Sequence, residues 1–511
     1  MKSNIIFKPL FYIPLLIGCI LLQRFHTYHE SIDRDVSTYA VIAHEIIKGK
    51  SLYSGILTDQ KPPAIFITYT LGELAFGYGK RELCMLGAMA ASLFLLAIPR
   101  LRNFLSPLSV FYAAVFWTLV CSSLPLEANQ PNTESFINLW MLFGLGFLLK
   151  DRSINRDWKV AVGAGICFAI ASLYKHSIVI IPIMVSLAIV IWPTGGRSRL
   201  RSLNYALIIG IIGLAFWVGT FLYFKLTGRA ENFSNWIFTH NRYYSGSITD
   251  NILNLSNYAS VSLIIISPLF ALSFVGLLIG FYNREYNKAG FLLFLAFGSA
   301  IAVALPGKYF PHYFQLWFPF LIVASGFAID EISRLSIIPI RLRQTIPLIV
   351  IMTLVFLQYP FWRLTCKECS DYKFGYIFIN TERCSNIVSK MLKPNETFYQ
   401  IGDEPETYMY TGKSPIGPIA IGNGLSGPLA SQISEELMKA VHSNPDLILV
   451  EKYAIPEIPK ESVLWKLLDN NYTPIRAEFY QEPFYFLFKQ GSRMEKLYNN
   501  QSNNFKRIEN F

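Results

Sequence analysis

The 511-residue chain is 52% hydrophobic and only 15% charged, against about 25% charged in an ordinary soluble domain. That balance excludes a soluble globular protein and points to a polytopic membrane protein. The net charge of +11 sits in short basic connections between apolar runs rather than on one face, which excludes nucleic acid as the partner.

In chain order, apolar runs occupy residues 9–23, 82–98, 107–121, 135–149, 160–174, 177–192, 203–224, 259–282, 289–305, 313–329 and 345–361, each roughly long enough to span a bilayer. About eleven spans are predicted. Basic connections at 99–103, 150–159, 194–202, 283–288 and 341–344 fall on one side, which the positive-inside rule makes cytoplasmic. The N-terminus is then cytoplasmic, and 24–81, 122–133, 225–258, 306–312 and everything after about 362 lie outside. The expected location is the cytoplasmic (inner) membrane, crossed many times. "LIGC" (16–19) looks like a lipoprotein cleavage box, but the apolar run continues past Cys19, so lipidation is not expected. Glycines 163 and 165 within a span read as close helix packing. Cys366 and Cys369 form a C-x-x-C beyond the last span, where a local disulfide or two free thiols fit and a metal site would need two more ligands.

Three parts follow: a membrane domain (1–361), a water-exposed α/β domain (362–490) and a polar tail (491–511) expected to be disordered. In the second part helices are expected at 376–393, 434–443 and 462–470, strands at 397–401 and 446–450, and a closing hairpin from 472–479 and 484–489. No Gly-rich phosphate loop supports nucleotide binding.

The loop after the first span gathers Asp33, Asp35, Tyr39, Glu45, Asp59 and Lys61. Its "DVSTYAVIAHEIIKG" has amphipathic helix spacing with Asp35 as the expected N-cap. "DQKPPAIF" (59–66) reads as a turn and a second surface helix with prolines at its start, and Lys61 there makes a positive site for an anionic headgroup. Further ionisable residues lie at outer span ends: Glu127, Glu134, Lys175, His176, Lys308 and His312. Charge costs about 2.5–3.5 kcal/mol near the bilayer centre. Topology gathers these groups on one outer level.

The run "DRDVSTYAVIAHEIIKGKSLYSGILTDQKPPAIF", followed by "TESF", "LYKHS" and "GKYFPHYFQLWFPFL", resembles the bacterial members of the dolichyl-phosphate-mannose-protein mannosyltransferase superfamily. These are GT-C integral-membrane glycosyltransferases, family 39-like, with the lipid A aminoarabinose transferase as a relative. "GDEPETYMYTGKSP" (402–415) resembles their outer domain. The resemblance implies an α-helical polytopic GT-C fold of about 11 transmembrane helices with a C-terminal extracytoplasmic α/β domain. It also implies a polyprenyl-phosphate-linked sugar donor and an acceptor hydroxyl on protein, lipid A or surface glycan. Asp35 falls on the catalytic base of that family, in a "D-x-x-x-Y-A" context with Tyr39, and Asp33 is a second acid beside it. Lys61 matches the lysine that holds the donor phosphate, as do Lys175 and Lys308, and Glu134 corresponds to a second-loop acid. Gln60 stands where relatives commonly carry Glu or His, so no cofactor is expected, and a divalent metal is the one the resemblance leaves open.

The chemistry fits this residue set independently. A glycosidase needs an acid to protonate its alkoxide leaving group. Phosphate departs as an anion, so one base and several cations suffice. Tyr39, His312, Tyr309 and Tyr313 are expected to pack on the sugar or orient the phosphate. The competing reading, a transporter or flippase for a lipid-linked or anionic substrate, calls for ionisable or broken-helix sites near the midplane and a repeated half, and the sequence shows neither.

Overall fold

The computed structural model describes residues 8–149, 157–194, 196–419 and 427–500. Its membrane part runs α1 (Pro9–His26), α2 (Arg34–Ile47), α3 (Ala64–Phe76), α4 (Lys80–Ala97), α5 (Pro107–Val120), α6 (Thr133–Leu148), α7 (Asp157–Ser172), α8 (Ile180–Ile191), α9 (Arg199–Leu226), α10 (Ala230–Ser234), α11 (Asn241–Ser245), α12 (Ile248–Leu263), α13 (Ser267–Tyr282), α14 (Tyr286–Ala304), α15 (Phe318–Arg334) and α16 (Ile340–Trp362). Every predicted apolar run falls on a helix. Seven helical segments among the described residues are long and apolar enough to cross a membrane. Four others, α5 to α8, fall short because their ends give way to polar turns such as 121–132 and 173–175. Those turns carry several of the candidate site residues.

Packing ranks the helices. In the most apolar stretch of the segment containing α15, 89% of residues are buried, against 11% in α9 and 17% in α16, so α15 is the centre of the bundle and the other two face lipid. Side chains such as Leu207, Leu214 and Phe356 are exposed, as the bilayer requires. Small residues let the helices close. A Cβ on Gly276 of α13 would collide with Ala328 of α15, Gly163 faces Phe147 of α6, and Gly165 faces Ile209 and Ile212 of α9. The two glycines of the seventh helix thus serve packing, as their spacing predicts.

After the bundle come α17 (Cys366–Phe374), α18 (Ile377–Met391), β1 (Phe398–Ile401), α19 (Glu406–Thr411), α20 (Ala430–His442), β2 (Leu447–Glu451), α21 (Val463–Asn471), β3 (Tyr480–Gln481), β4 (Phe484–Phe488) and α22 (Arg493–Asn500). The sheet order is β1-β2-β4-β3, with β1 parallel to β2 through Phe398 opposite Leu447, and β4 antiparallel to β2 through Leu447 opposite Phe488. The expected hairpin is only half right. β4 pairs with the two-residue β3, while the 472–479 arm gives a single bridge, Tyr472 to Lys489; Pro474 lacks the N–H that a ladder needs. Part of the expected disordered tail forms α22, where Arg493 pairs with Glu396, and 501–511 lie outside the described residues. Cys366 and Cys369 are both free thiols, within a helix opened by a Thr365–Glu368 capping box.

This second part clamps the chain just before α2. Ser31 Oγ donates to Glu382 at 2.7 Å, the Ile32 N–H to the Tyr410 hydroxyl at 2.9 Å, and Arg34 Nη2 lies 2.5 Å from Glu404. The Lys373 amine, on α17, is 2.6 Å from Glu30. The start of α2 is thereby fixed from both sides.

Candidate active site

The α2 N-terminus corrects one expectation. Asp33, not Asp35, is the cap: its Oδ1 accepts the Val36 N–H at 3.1 Å, and the residue is 3% exposed. Asp35 falls in the first helical turn with its side chain 42% exposed. Capping is therefore done by a neighbour, and Asp35 keeps an accessible carboxylate. Burial first, then repulsion from Asp35, pushes the Asp33 carboxyl up to about 7, with Lys373 and the Val36 N–H pulling the other way. A carboxyl whose folded value lies above its unfolded value stabilises the fold at low pH and loses that contribution as pH rises towards 7. Asp33→Asn keeps a good cap and is expected to flatten the fall in melting temperature between pH 5 and pH 8, read by thermal unfolding in detergent.

Around Asp35 stand groups from four other parts of the chain. His312 Nε2 is 3.7 Å from Asp35 Oδ2, and its Nδ1 is 2.6 Å from Glu127 Oε2. Glu127 has a left-handed backbone, φ 52°, in the turn between α5 and α6. At the start of α6 the fully buried Glu134 meets the Lys175 amine at 3.0 Å, and that amine lies 3.3 Å from the centre of the Tyr313 ring, a cation–π contact. Burial lowers Lys175 to about 8, Glu134 opposing and Lys61 adding repulsion.

Lys61 is pinned by its backbone. Its N–H donates to Asp59 Oδ1 at 2.7 Å, its carbonyl accepts from Tyr53, and Pro62 and Pro63 lead directly into α3 as the sequence predicts. Burial alone would lower the Lys61 amine, but Asp35, then Asp59 and Glu134, more than offset it and hold the amine up. Burial pushes the Asp59 carboxyl up to about 6 against the pull of Lys61.

Lys61, Lys175, His176, Arg242, Tyr244 and Tyr313 line a cavity of about 520 Å³; Asp35 is not in its wall but adjoins it as the foremost acidic partner of the Lys61 amine. Lys308 is exposed and lies 4.3 Å over the Tyr244 ring, at the cavity's edge. Asp35, Lys61, Glu134, Lys175, His312 and Tyr313 are thus brought together from the positions the sequence singled out. Tyr39 is 1% exposed and packs edge-on against Phe66 and Tyr69, between α2 and α3. Tyr309 stacks on Tyr258 and donates to the Asn251 carbonyl. Sequence reasoning missed Arg242 and Tyr244, and gave Glu127 no specific role. The signal for the first two was present in "HNRYYSG" (240–246), a basic and aromatic cluster in an outer loop.

The residues do not fit a divalent metal. His312 contacts Asp35 through one ring nitrogen and Glu127 through the other, so the two carboxylates face opposite edges of the ring and do not converge. Among the described residues no group of three or more His, Cys, Asp or Glu is placed to hold an ion.

This frame occurs elsewhere. The chain superposes on ArnT from Cupriavidus metallidurans bound to undecaprenyl phosphate with a TM-score of 0.62 at 14% identity, covering 94% of this chain and 98% of that one. The fold is that of the GT-C glycosyltransferases. The apo state of the same ArnT gives a TM-score of 0.62 at 14% identity, over 93% and 97% of the two chains. The oligosaccharyltransferase of Archaeoglobus fulgidus, in complex with Zn and sulfate, gives 0.53 at 15% identity over 89% of this chain and 69% of that one. No protein-family model and no curated protein matches the chain. The GT-C likeness therefore rests on three-dimensional shape, and it extends over the membrane bundle and the α/β part together.

Proposed function

We propose that the chain is a membrane glycosyltransferase that moves a sugar from a polyprenyl-phosphate donor to an acceptor hydroxyl at the outer face of the cytoplasmic membrane. The observation that carries this reading is the accessible Asp35 carboxylate beside a cavity lined by two buried lysines, within a GT-C fold. A fold alone does not define a reaction; the placement of one base and two cations does narrow it. In this reading residues 362–490 form an extracytoplasmic domain, the N-terminus is cytoplasmic, and the acceptor belongs to protein, lipid A or surface glycan.

The step is a direct displacement. Asp35 takes the proton of the acceptor hydroxyl while its oxygen attacks the anomeric carbon, the bond from that carbon to the phosphate oxygen breaks, and the electron pair stays on the phosphate. The new bond forms on the opposite face, so configuration inverts. Lys61 and Lys175, joined by Lys308 and Arg242 from the cavity edge, stabilise the departing anion where water is scarce and charge is worth more. The Tyr313 ring, held against Lys175, orients that amine. Undecaprenyl phosphate, the ligand bound in the ArnT crystal structure, supports the donor class.

Lipid-linked sugars and surface glycoconjugates compared by mass spectrometry, in cells with and without the protein, test the reading. Loss of the protein is expected to accumulate one polyprenyl-phosphate monosaccharide and remove that sugar from one surface molecule. Unchanged profiles in both fractions would overturn it.

A further inference from the structure

At the other end of α1 from the loop that leads to Asp35, the helix being about 27 Å long for its 18 residues at 1.5 Å each, a second and larger cavity opens. It measures about 940 Å³ and lies between the N-terminal ends of α1, α5 and α16 and the C-terminal end of α15. Its lining includes Lys8, Arg102 and Arg343 and no acidic residue. The nearest carboxylate on α15, Asp330, adjoins the wall but has both oxygens engaged, Oδ2 accepting the N–H of the lining residue Ser106 at 2.9 Å and Oδ1 the Ser109 hydroxyl at 2.6 Å.

Two polar groups at this cavity are incomplete. Tyr12 is 5% exposed, and its hydroxyl has no hydrogen-bond partner; nor has Arg343 Nε. The remainder of the Arg343 guanidinium is anchored by Nη1, which donates to the Ser333 carbonyl at 2.5 Å. Buried polar groups without partners are costly, and an Arg held at one end presents its remaining N–H groups to a ligand in a fixed direction. The lining turns apolar towards the outside: Ile340 is 63% exposed and Leu348 51%, and Leu10, next in sequence to the lining residue Pro9, is 80% exposed. A lipid is the ligand whose two halves match a cationic interior and an apolar rim.

We infer that this cavity binds the headgroup of an anionic glycerophospholipid from the leaflet opposite the candidate active site. Arg102, Arg343 and Lys8 face the phosphate and the Tyr12 hydroxyl donates to it, while the acyl chains lie along Leu10, Ile340 and Leu348. The charge pattern selects anionic over zwitterionic lipid, as in basic pockets between transmembrane helices on the cytoplasmic side of other membrane proteins. Four helix ends converge here, so one bound headgroup ties α1 and α16 to the centre of the bundle. The inference is independent of the proposed transferase activity.

The test uses the full chain in detergent, with dioleoyl-phosphatidylglycerol, dioleoyl-phosphatidylcholine or inorganic phosphate added separately and read by native mass spectrometry and thermal unfolding. Phosphatidylglycerol is expected to stay bound and raise the melting temperature, as a ligand specific for the folded state must; phosphatidylcholine and free phosphate are expected to do neither. Arg102→Gln with Arg343→Gln is expected to weaken phosphatidylglycerol retention about tenfold or more, as charge-assisted bonds to phosphate are lost. Arg284→Gln, in a different basic connection, is expected to leave it unchanged. Tyr12→Phe, which keeps the packing, is expected to weaken retention by a smaller factor. Equal retention of the two lipids by the unaltered protein, or retention unaffected by the double substitution, would overturn the inference. A shift produced equally by inorganic phosphate would reject a lipid as the occupant.

Discussion

Asp35→Asn is expected to reduce sugar transfer by about 10² to 10⁴, the usual contribution of a positioned general base, while the protein remains folded in the membrane. The substitution leaves the start of α2 and its packing undisturbed. Asp35 neither caps α2 nor lies buried; the cap is Asp33, and the Asp35 side chain is 42% exposed. An amide of the same shape cannot take the proton, and it also removes the charge that does most to hold the Lys61 amine up, so the expected loss of rate includes both effects. Purified protein, a polyprenyl-phosphate sugar and an acceptor extract give the rate, and the melting temperature reports the fold. Normal turnover by Asp35→Asn would remove Asp35 from the mechanism.

Lys175→Met is expected to fail differently, by damaging the fold first. Glu134 is fully buried and its carboxylate meets Lys175 at 3.0 Å. Removing one partner of a buried pair strands the other charge, at about 3–5 kcal/mol. Glu134→Gln together with Lys175→Met removes both charges and is expected to restore most of the melting temperature without restoring transfer. That separation of stability from rate is the result expected of a pair that acts on the donor phosphate as well as on the fold. Recovery of full activity in the double variant would assign the pair to structure alone.

Much of the architecture is legible because it follows from local pattern. Each apolar run falls on a helix, since the hydrocarbon core leaves helix as the way for one segment to satisfy its own backbone. Prolines 62 and 63 mark the start of α3, and the β2 and β4 segments show as short runs of apolar residues. The failures are also local in origin. Asp33 and Asp35 stand two residues apart and both precede the amphipathic stretch, so spacing leaves the N-cap ambiguous, and only the backbone decides which one reaches the Val36 N–H. The hairpin arm at 472–479 contains a proline that breaks its ladder.

The sequence by itself determined that the chain is a membrane bundle with charge confined to the ends of its spans, because burying unpaired charge in lipid is too costly for those groups to lie elsewhere. Only the tertiary structure decided which of those groups meet: that His312 stands between Asp35 and Glu127, that Lys175 is spent partly on Glu134, that Arg242 and Tyr244 close the cavity, and that Tyr39 is core. Contacts between residues as far apart as 35 and 312 depend on how helices pack, and packing is set by shape complementarity among side chains from the whole chain, which no local window of residues contains.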